Sequence, residues 1–244
     1  MSGNDGERDG PCVARIGDVA HLPAALTKAS IDCNRPVLAV VGGAEGMADD
    51  VVDDLVELLR TGVLPLLDRR GATVVDGGTD SGVMRVMGRA RAAAGARLPL
   101  VGVAAEGTVG PVSLADTGER PVVEPHHTHV VLVPGRSWGD ESPWLAAVAT
   151  AIAGDQPSVT LVVNGGDIVW QDIEHSLREH RPVVVLAGTG RAADEIAAAA
   201  AGREGDQRAG GVAGHDLVSI VDIDDSAGLV DVLDRLLRGS EASD

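Results

Sequence analysis

The sequence has no phenylalanine and no tyrosine, and only three of its 244 residues are tryptophan. Its apolar residues, 44% of the chain, are therefore almost entirely alanine, valine, leucine and isoleucine. That fraction is too high for a disordered chain and is typical of a globular one. A chain of this length fits one large α/β domain or two small domains.

Basic residues are scarce, and lysine is nearly absent. The chain has 20 lysine and arginine residues against 37 aspartate and glutamate residues, a formal net charge of −17, and Lys28 is its one lysine. It has no basic block, whereas nonspecific nucleic-acid binding depends on neutralising many phosphates and on stacking bases against aromatic rings. We therefore expect neither a nucleic-acid partner nor attachment to an anionic membrane.

Cysteines and long apolar runs are scarce as well. Cys12 and Cys33 are the two cysteines, too few for a disulfide framework or a CxxC metal site. The first ten residues are polar and acidic, unlike a signal peptide. Every apolar run ends well before the roughly 18 residues of a membrane-spanning helix. These absences lead us to expect a cytoplasmic protein.

Short runs of β-branched and other apolar residues alternate with amphipathic helical stretches from Pro36 onward. The runs are apolar throughout, as in parallel strands that helices cover on both faces. The alternation predicts βαβ units and a Rossmann-like, doubly wound, mainly parallel sheet of about seven strands. The predicted strands are Val37–Val41, Thr73–Val75, Leu100–Ala104, Val130–Val133, Val159–Val163, Val183–Ala187 and Val218–Val221.

The sequence indicates one domain, because no linker divides the regular part of the chain. We place this domain at residues 36–238. Residues 1–35 are expected to be an N-terminal extension that is partly disordered, and 11–35 fit either a short strand with a helix or an irregular segment. Residues 239–244 are expected to form a tail.

Glycines follow four of the predicted strands and lead into helices. In open parallel sheets, ligands bind beyond the carboxyl ends of the strands, and glycine loops with helix N-termini there suit phosphate or pyrophosphate. The alternative is that βα turns require glycine without any ligand. Neither a GxGxxG fingerprint nor a Walker A motif is present. The clusters are Gly42-Gly43, Gly77-Gly78, Gly165-Gly166 and Gly188-Thr189-Gly190.

Four motifs in order resemble a known family over about residues 36–200. They are Pro36–Gly43, Asp76–Met84 (DGGTDSGVM), Glu124–His129 (EPHHTH) and Gly188–Asp194 (GTGRAAD). The second resembles the GGxxxGVM segment of the SLOG/LOG Rossmannoid superfamily. Together they resemble most closely the N-terminal cytosolic homology region (LSDAT) of the melastatin-type TRP channels (TRPM) and its stand-alone prokaryotic relatives.

The resemblance implies a Rossmann-like fold that recognises, and in some branches processes, nucleotide-derived ligands. ADP-ribose and NAD-related molecules are the leading candidates by analogy with the channels. It implies no required cofactor besides such a ligand. We further expect a homo-oligomer and an effector protein to which a sensor would report.

The motifs and the loop positions give a predicted ligand-binding set. The second glycine loop and the Ser81 hydroxyl would hold phosphate, with Ser81 as a plain helix N-cap as the alternative. Arg191 stands just inside a helix start, where a cation is unfavourable unless an anion lies nearby, and Asp194 is a candidate to orient it. The set is Gly42, Gly43, Gly77, Gly78, Thr79, Ser81, Gly82, Val83, Met84, His127, His129, Trp138, Asn164, Gly165, Gly166, Gly188, Thr189, Gly190 and Arg191.

The histidine cluster His126, His127 and His129 invites a metal interpretation. A zinc site needs three or four ligands, and the nearby acids Glu124, Asp140 and Glu141 could complete one. The matching family motif is not a metal motif, so the resemblance favours a structural or ligand-contacting role. We predict no metal site.

Two carboxylates are candidates for catalysis. Asn164-Gly-Gly-Asp167 lies where LOG phosphoribohydrolases carry PGGxGTxxE, but Ile168 and Val169 replace the Gly-Thr pair. Asp172 falls at the position of the catalytic glutamate, and Glu141 is the second candidate. The shorter carboxylate leaves two functions open. One is a sensor that binds the nucleotide, and the other is a hydrolase of its N-glycosidic bond.

The three tryptophans all follow predicted strand ends. With no other aromatic side chain available, Trp138, Trp144 and Trp170 are the candidates for stacking on a base. The alternative is rim packing around helix starts.

Overall fold

Eight parallel strands form one sheet in the computed structural model, which describes residues 10–43, 46–110 and 121–238. Their spatial order is β1-β5-β4-β3-β2-β6-β7-β8. The strands are β1 (Cys12–Arg15), β2 (Val37–Gly42), β3 (Thr73–Asp76), β4 (Leu100–Ala105), β5 (His129–Val133), β6 (Ser158–Val163), β7 (Val183–Ala187) and β8 (Val218–Asp222). The predicted single α/β domain with a parallel sheet is confirmed.

Helices connect the strands and cover both faces of the sheet. A 3₁₀ turn at Val19–His21 precedes the first helix, and a π-helical turn at Leu59–Val63 joins the second to the third. Within the described ranges, no helix combines the length and apolar character needed to cross a membrane. The helices are α1 (Leu22–Lys28), α2 (Asp49–Leu58), α3 (Leu64–Arg70), α4 (Gly82–Ala94), α5 (Ser142–Ala153), α6 (Asp167–Arg178), α7 (Arg191–Ala200), α8 (Gln207–Ala213) and α9 (Ser226–Leu237).

The sheet separates two aliphatic core layers. Successive strand residues point to opposite faces, so Val41 of β2 packs in one layer and the preceding Val40 in the other. The first layer contains buried residues of α1, α5, α6 and α7, and the second those of α2, α3, α4 and α9. Burial on both faces explains why the strand sequences are apolar throughout.

The eight strands agree with the expected number of about seven, and the additional one is β1. β1 pairs with β5 at the sheet edge, Cys12 opposite His129, and Leu22 and Leu26 of α1 are buried in the first core layer. Residues before the predicted domain boundary at residue 36 therefore also pack into the sheet and the core. β1 has only four residues and ends in an arginine, so it lacks the apolar run of the other strands. The predicted disorder at residues 1–9 and the tail at 239–244 lie outside the described residues.

The chain reverses its direction across the sheet beside β2. From β2 it proceeds through β3, β4 and β5 on one side, and then returns to place β6 on the other side. β2 and β6 pair over six positions, from Val37 opposite Ser158 to Gly42 opposite Val163. Such a switch point opens a crevice at the carboxyl ends of the strands, where open α/β sheets bind their ligands.

Gly42 tests the close approach on which this switch point depends. A Cβ at Gly42 would lie 2.1 Å from the carbonyl oxygen of Val163. We expect Gly42→Ala to lower the free energy of unfolding, measured by urea denaturation, by at least about 2 kcal/mol, since backbone atoms must move to admit the methyl group. Gly210→Ala in α8 is the control, because nothing lies within 4 Å of that Cβ position. Equal stability of the two variants would contradict the prediction.

Candidate functional site

A cavity of about 550 Å³ opens at the switch point, beyond the carboxyl ends of β2 and its neighbours. The predicted site residues that line it are Gly42, Gly43, Gly77, Thr79, Ser81, Met84, Trp138, Glu141, Gly166, Asp172 and Arg191. The loops after β2, β3 and β6 and the start of α7 thus meet at one cavity, as the glycine pattern predicts.

Other lining residues were not predicted. Asp167, Ile168 and Val169 continue the loop after β6 into the first turn of α6, and their position beside Gly166 was a signal available in the sequence. No sequence signal singles out the rest of the lining, because apolar strand and helix residues look alike whether they face a cavity or a neighbouring side chain. These are Val40, Val41, Pro121 and Leu145.

Glycines at the cavity allow the loops to pack closely. A Cβ at Gly43 would lie 2.7 Å from Asn164 Oδ1, so the loop after β2 rests against the loop after β6. A Cβ at Gly166 would lie 2.9 Å from a terminal nitrogen of Arg191. The missing side chain at Gly166 therefore lets the Arg191 guanidinium lie beside the start of α6. Close packing of the two loops is enough to explain the glycine at position 43. The glycine at position 166 in addition leaves room for a cationic group at the cavity.

Three helices start next to these loops without a side-chain cap. The N-cap residues of α4, α6 and α7 are Ser81, Gly166 and Gly190, and none of them caps its helix through a side chain. Ser81 Oγ lies 3.1 Å from Thr79 Oγ1 instead. In α7 the Ala192 and Ala193 N–H groups already donate to the carbonyl groups of Gly165 and Asn164. The first-turn N–H groups and the helix dipoles of α4 and α6 make those two helix starts suitable for an anion.

Arg191 begins α7 with a backbone φ of +51°, in the left-handed region that side chains other than glycine rarely adopt. Its side chain is exposed and lines the cavity. Asp194, the residue predicted to orient it, accepts a hydrogen bond from the Gly188 N–H at 2.6 Å. Asp194 therefore stabilises the loop from which Arg191 starts.

Two carboxylates line the cavity near the starts of α5 and α6. Gly139 N–H donates to both oxygens of Glu141, at 3.1 and 3.0 Å, yet burial raises the pKa of Glu141. Burial also raises the pKa of Asp172, to about 7, with the Ser142 hydroxyl opposing the rise and the charge of Glu141 adding to it. Asp172 therefore exchanges its proton near neutral pH.

Ser142 is a residue of α5 rather than the cap that a Ser-Pro pair predicts. Glu141 occupies the N-cap position, and Pro143 follows in the first turn. Ser142 Oγ is buried and makes no hydrogen bond of normal geometry with the described residues. The hydroxyl nevertheless lies close enough to Asp172 to oppose the rise in the pKa of that carboxyl.

The three tryptophans have different positions. Trp138 lines the cavity and is 50% exposed, as a base-stacking residue requires. Trp144 and Trp170 pack against the first core layer, and the guanidinium of Arg208 lies 4.8 Å from the Trp170 ring centre. For these two residues the structure favours the packing alternative over base stacking.

Asn164 and Thr189 form a buried clamp between the loops after β6 and β7. Asn164 N–H donates to Thr189 Oγ1 at 2.8 Å, and Asn164 Nδ2 donates to the Thr189 carbonyl at 2.7 Å. Thr189 Oγ1 donates in turn to the Leu186 carbonyl at 2.6 Å. Both residues support the cavity from behind and do not line it.

His127 lies in a buried ionic network behind the loop that follows β3. Its Nε2 is 2.8 Å from Asp76 Oδ1, and its Nδ1 is 2.9 Å from Glu124 Oε2. Burial lowers the pKa of His127, but Asp76 and Glu124 outweigh burial and raise it to about 10. Burial raises the pKa of Glu124, yet hydrogen bonds from His127 and His126 lower it overall. His127 is thus an imidazolium that belongs to the framework of the loop.

The remaining predicted ligand contacts also lie outside the cavity lining. His129 starts β5, with its Nδ1 2.8 Å from Thr128 Oγ1. No group of three or more His, Cys, Asp or Glu side chains is arranged to hold a metal ion within the described ranges. The predicted residues outside the lining are Gly78, Gly82, Val83, His127, His129, Asn164, Gly165, Gly188, Thr189 and Gly190.

Comparison with known sequences gives a family match and a distant relative. A protein-family model described as "SLOG in TRPM, prokaryote" matches residues 35–231. The transient receptor potential cation channel subfamily M member-like 2 of Nematostella vectensis is 25% identical over 209 residues. The alignment covers 70% of this chain and 13% of that relative, so the chain corresponds to a small part of the relative's length.

Comparison with solved structures gives the fold. The molybdenum cofactor carrier protein of Chlamydomonas reinhardtii superposes with a TM-score of 0.54 at 18% identity, over 84% of this chain and 99% of that chain. A structural-genomics target named TM1055 gives a TM-score of 0.49 at 20% identity, over 81% and 99%. The first similarity shows a shared Rossmann-like α/β fold.

The His127 network predicts a pH dependence of stability. The folded state keeps the His127 proton above pH 6.5, where an unfolded histidine loses it, so its contribution is lost as the pH rises toward about 10. As the pH rises from 6.5 toward about 10, we expect the free energy of unfolding of the wild type to fall relative to that of His127→Gln. The slope of this difference should approach about 1.4 kcal/mol per pH unit. The control is His175→Gln on α6, whose free energy of unfolding should show the same pH dependence as that of the wild type. Parallel curves for wild type and His127→Gln would contradict the prediction.

Proposed function

This chain belongs to the family described as "SLOG in TRPM, prokaryote", and on that premise we propose that its cavity binds a nucleotide-derived ligand such as ADP-ribose or an NAD-related molecule. The four motifs that suggested this family from the sequence lie within or next to the matched range. In this proposal the protein acts as a sensor and reports the ligand to an effector protein.

One observation carries the proposal: uncapped helix starts and an arginine meet at the switch-point cavity. α4 and α6 begin at cavity residues Ser81 and Gly166, and the guanidinium of Arg191 lies beside Gly166. Helix N-termini and a guanidinium are the groups that bind phosphate oxygens in proteins. The phosphates therefore belong at this side of the cavity.

Other lining residues suit the nucleoside. Trp138 offers an aromatic face for a base. Glu141 and Asp172 are acceptors for ribose hydroxyl groups, and Asp172 can also donate when it is protonated.

A second function, hydrolysis of the N-glycosidic bond, is favoured by the acid pair. Asp172 has a pKa of about 7, near the value that suits a general acid at neutral pH. As the bond from ribose C1′ to the base breaks, its electron pair goes to the base nitrogen, which takes the Asp172 proton. Water adds to C1′ and gives a proton to the Glu141 carboxylate. The products are the free base and the ribose phosphate moiety.

Binding is tested by titrating the purified protein with ADP-ribose, NAD and AMP, followed by calorimetry and tryptophan fluorescence. We expect at least one of them to bind, and Arg191→Ala to weaken binding by about 1–3 kcal/mol, because a charge-assisted contact to phosphate is lost. Arg178→Ala is the control, since Arg178 pairs with Glu174 near the far end of α6. If none of the three binds at millimolar concentration, the proposed function fails.

Catalysis is tested by assaying the same mixtures for released base. If the second function holds, Asp172→Asn abolishes release and keeps nucleotide binding, because the amide has no proton to give to the leaving base. The wild-type rate should fall as the pH rises through about 7, where Asp172 loses its proton. Asp167→Asn, at another cavity residue, is the matched control and should retain turnover. Binding without release of base would leave the sensor function alone.

A further inference from the structure

The Asp76–His127–Glu124 network stands out because nothing in the proposed binding step uses it. The exposed fractions of these three residues are 0%, 4% and 1%. Burying ionised groups costs free energy that their mutual attraction does not always recover, and apolar residues of similar volume often do as well. The free-energy cost of burying this network suggests that it has a function besides stability, such as holding a neighbouring segment in place.

The network holds the backbone of Gly78 from both sides. Gly78 N–H donates to Asp76 Oδ1 at 2.7 Å, and the Gly78 carbonyl accepts from the Glu124 N–H at 3.0 Å. His127 bridges the two carboxylates. Gly78 has a φ of +70° and lies between Gly77 and Thr79, both of which line the cavity. The conformation of the 77–81 loop is thus fixed at Gly78.

The charge state of the network follows from its geometry. Both ring nitrogens of His127 face carboxylate oxygens at hydrogen-bond distance, and ionised carboxylates only accept hydrogen bonds. Both nitrogens therefore carry hydrogen. Asp76 Oδ2 makes no hydrogen bond with the described residues, and Asp76 contacts both Gly78 and His127 through its other oxygen, Oδ1.

Glycines on two neighbouring elements make room for the network. A Cβ at Gly88 of α4 would lie 2.1 Å from the carboxyl carbon of Glu124. A Cβ at Gly102 of β4 would lie 2.5 Å from the Gly78 Cα and 3.1 Å from His127 Cδ2. The network and the loop are therefore enclosed by α4 and β4, with no space for an alternative arrangement at these positions.

The 121–127 segment adds a second tie to the loop. Thr79 forms an antiparallel bridge with Val123, and Asp80 N–H donates to the Val122 carbonyl at 2.9 Å. Pro121 at the start of this segment lines the cavity. The segment that supplies Glu124 and His127 thus also lies along the loop as far as the cavity.

We propose that Asp76, His127 and Glu124 are positioning residues, which set the ligand affinity of the cavity by holding the 77–81 loop and do so without touching the ligand. This inference rests on the proposed function. It gives a role to His127 and Gly78, which the sequence singled out but the cavity lining does not include. Because the network already orders the loop, ligand binding does not have to include the entropic cost of ordering it.

The test changes the network in two independent ways. Glu124→Gln keeps the shape of the side chain and removes its charge, and Gly88→Ala displaces the carboxylate without altering any network residue. The control is Leu237→Ala, which lowers stability through the fully buried end of α9, away from the loop. Amide hydrogen exchange of the 77–81 loop is measured by mass spectrometry, and affinity is measured with AMP, ADP-ribose and NAD as probes.

We expect both network variants to exchange the 77–81 amides at least tenfold faster and to bind the probe at least tenfold more weakly. Leu237→Ala should change neither quantity, although it is destabilised. Wild-type binding with unchanged affinity in both network variants would overturn the positioning role and leave the proposed function standing. If the wild type binds no probe, the proposed function fails. In that case, faster amide exchange of the 77–81 loop in both network variants still supports the claim that the network holds the loop. Unchanged exchange in these variants overturns that claim.

Discussion

The pairing of β2 with β6 is the contact on which the rest of the structure depends. It joins the two halves of the sheet over six residue pairs, and it ends where Gly42 meets Val163. Because Gly42 has no side chain, the ends of these strands and the helices that follow them can approach closely. Core layers and cavity both follow from this junction: the strands fill the sheet centre, and the crevice opens where they diverge into loops.

Much of the fold could be predicted, because strands buried on both faces leave an apolar run that is easy to recognise. β1 could be given only as one interpretation of residues 11–35, because its four residues, CVAR, carry that signal too briefly, and pairing with β5 makes them a strand. Three of the four predicted glycine clusters contribute a residue to the cavity lining, and Gly188-Thr189-Gly190 does not. Whether one residue of a loop faces the cavity or a neighbouring loop depends on tertiary packing, which is why Asn164 and Thr189 form a clamp.

The same distinction separates side chains of one type. Trp138 reaches the cavity, whereas Trp144 and Trp170 pack on the core, although all three follow strand ends in the sequence. A tryptophan side chain near a strand end can point into the cavity or pack on the core, and tertiary packing decides between the two orientations. The family resemblance gave the correct fold, but it did not distinguish residues that line the cavity from those that support the lining.

The cavity lies on the boundary between the two aliphatic layers. Val41, Leu145 and Val169 belong to one layer, while Val40 and Met84 belong to the other, and all five line the same space. Elsewhere the sheet keeps the layers apart. A molecule that filled the cavity would touch both layers, so its contact area would be divided between the two faces of the sheet.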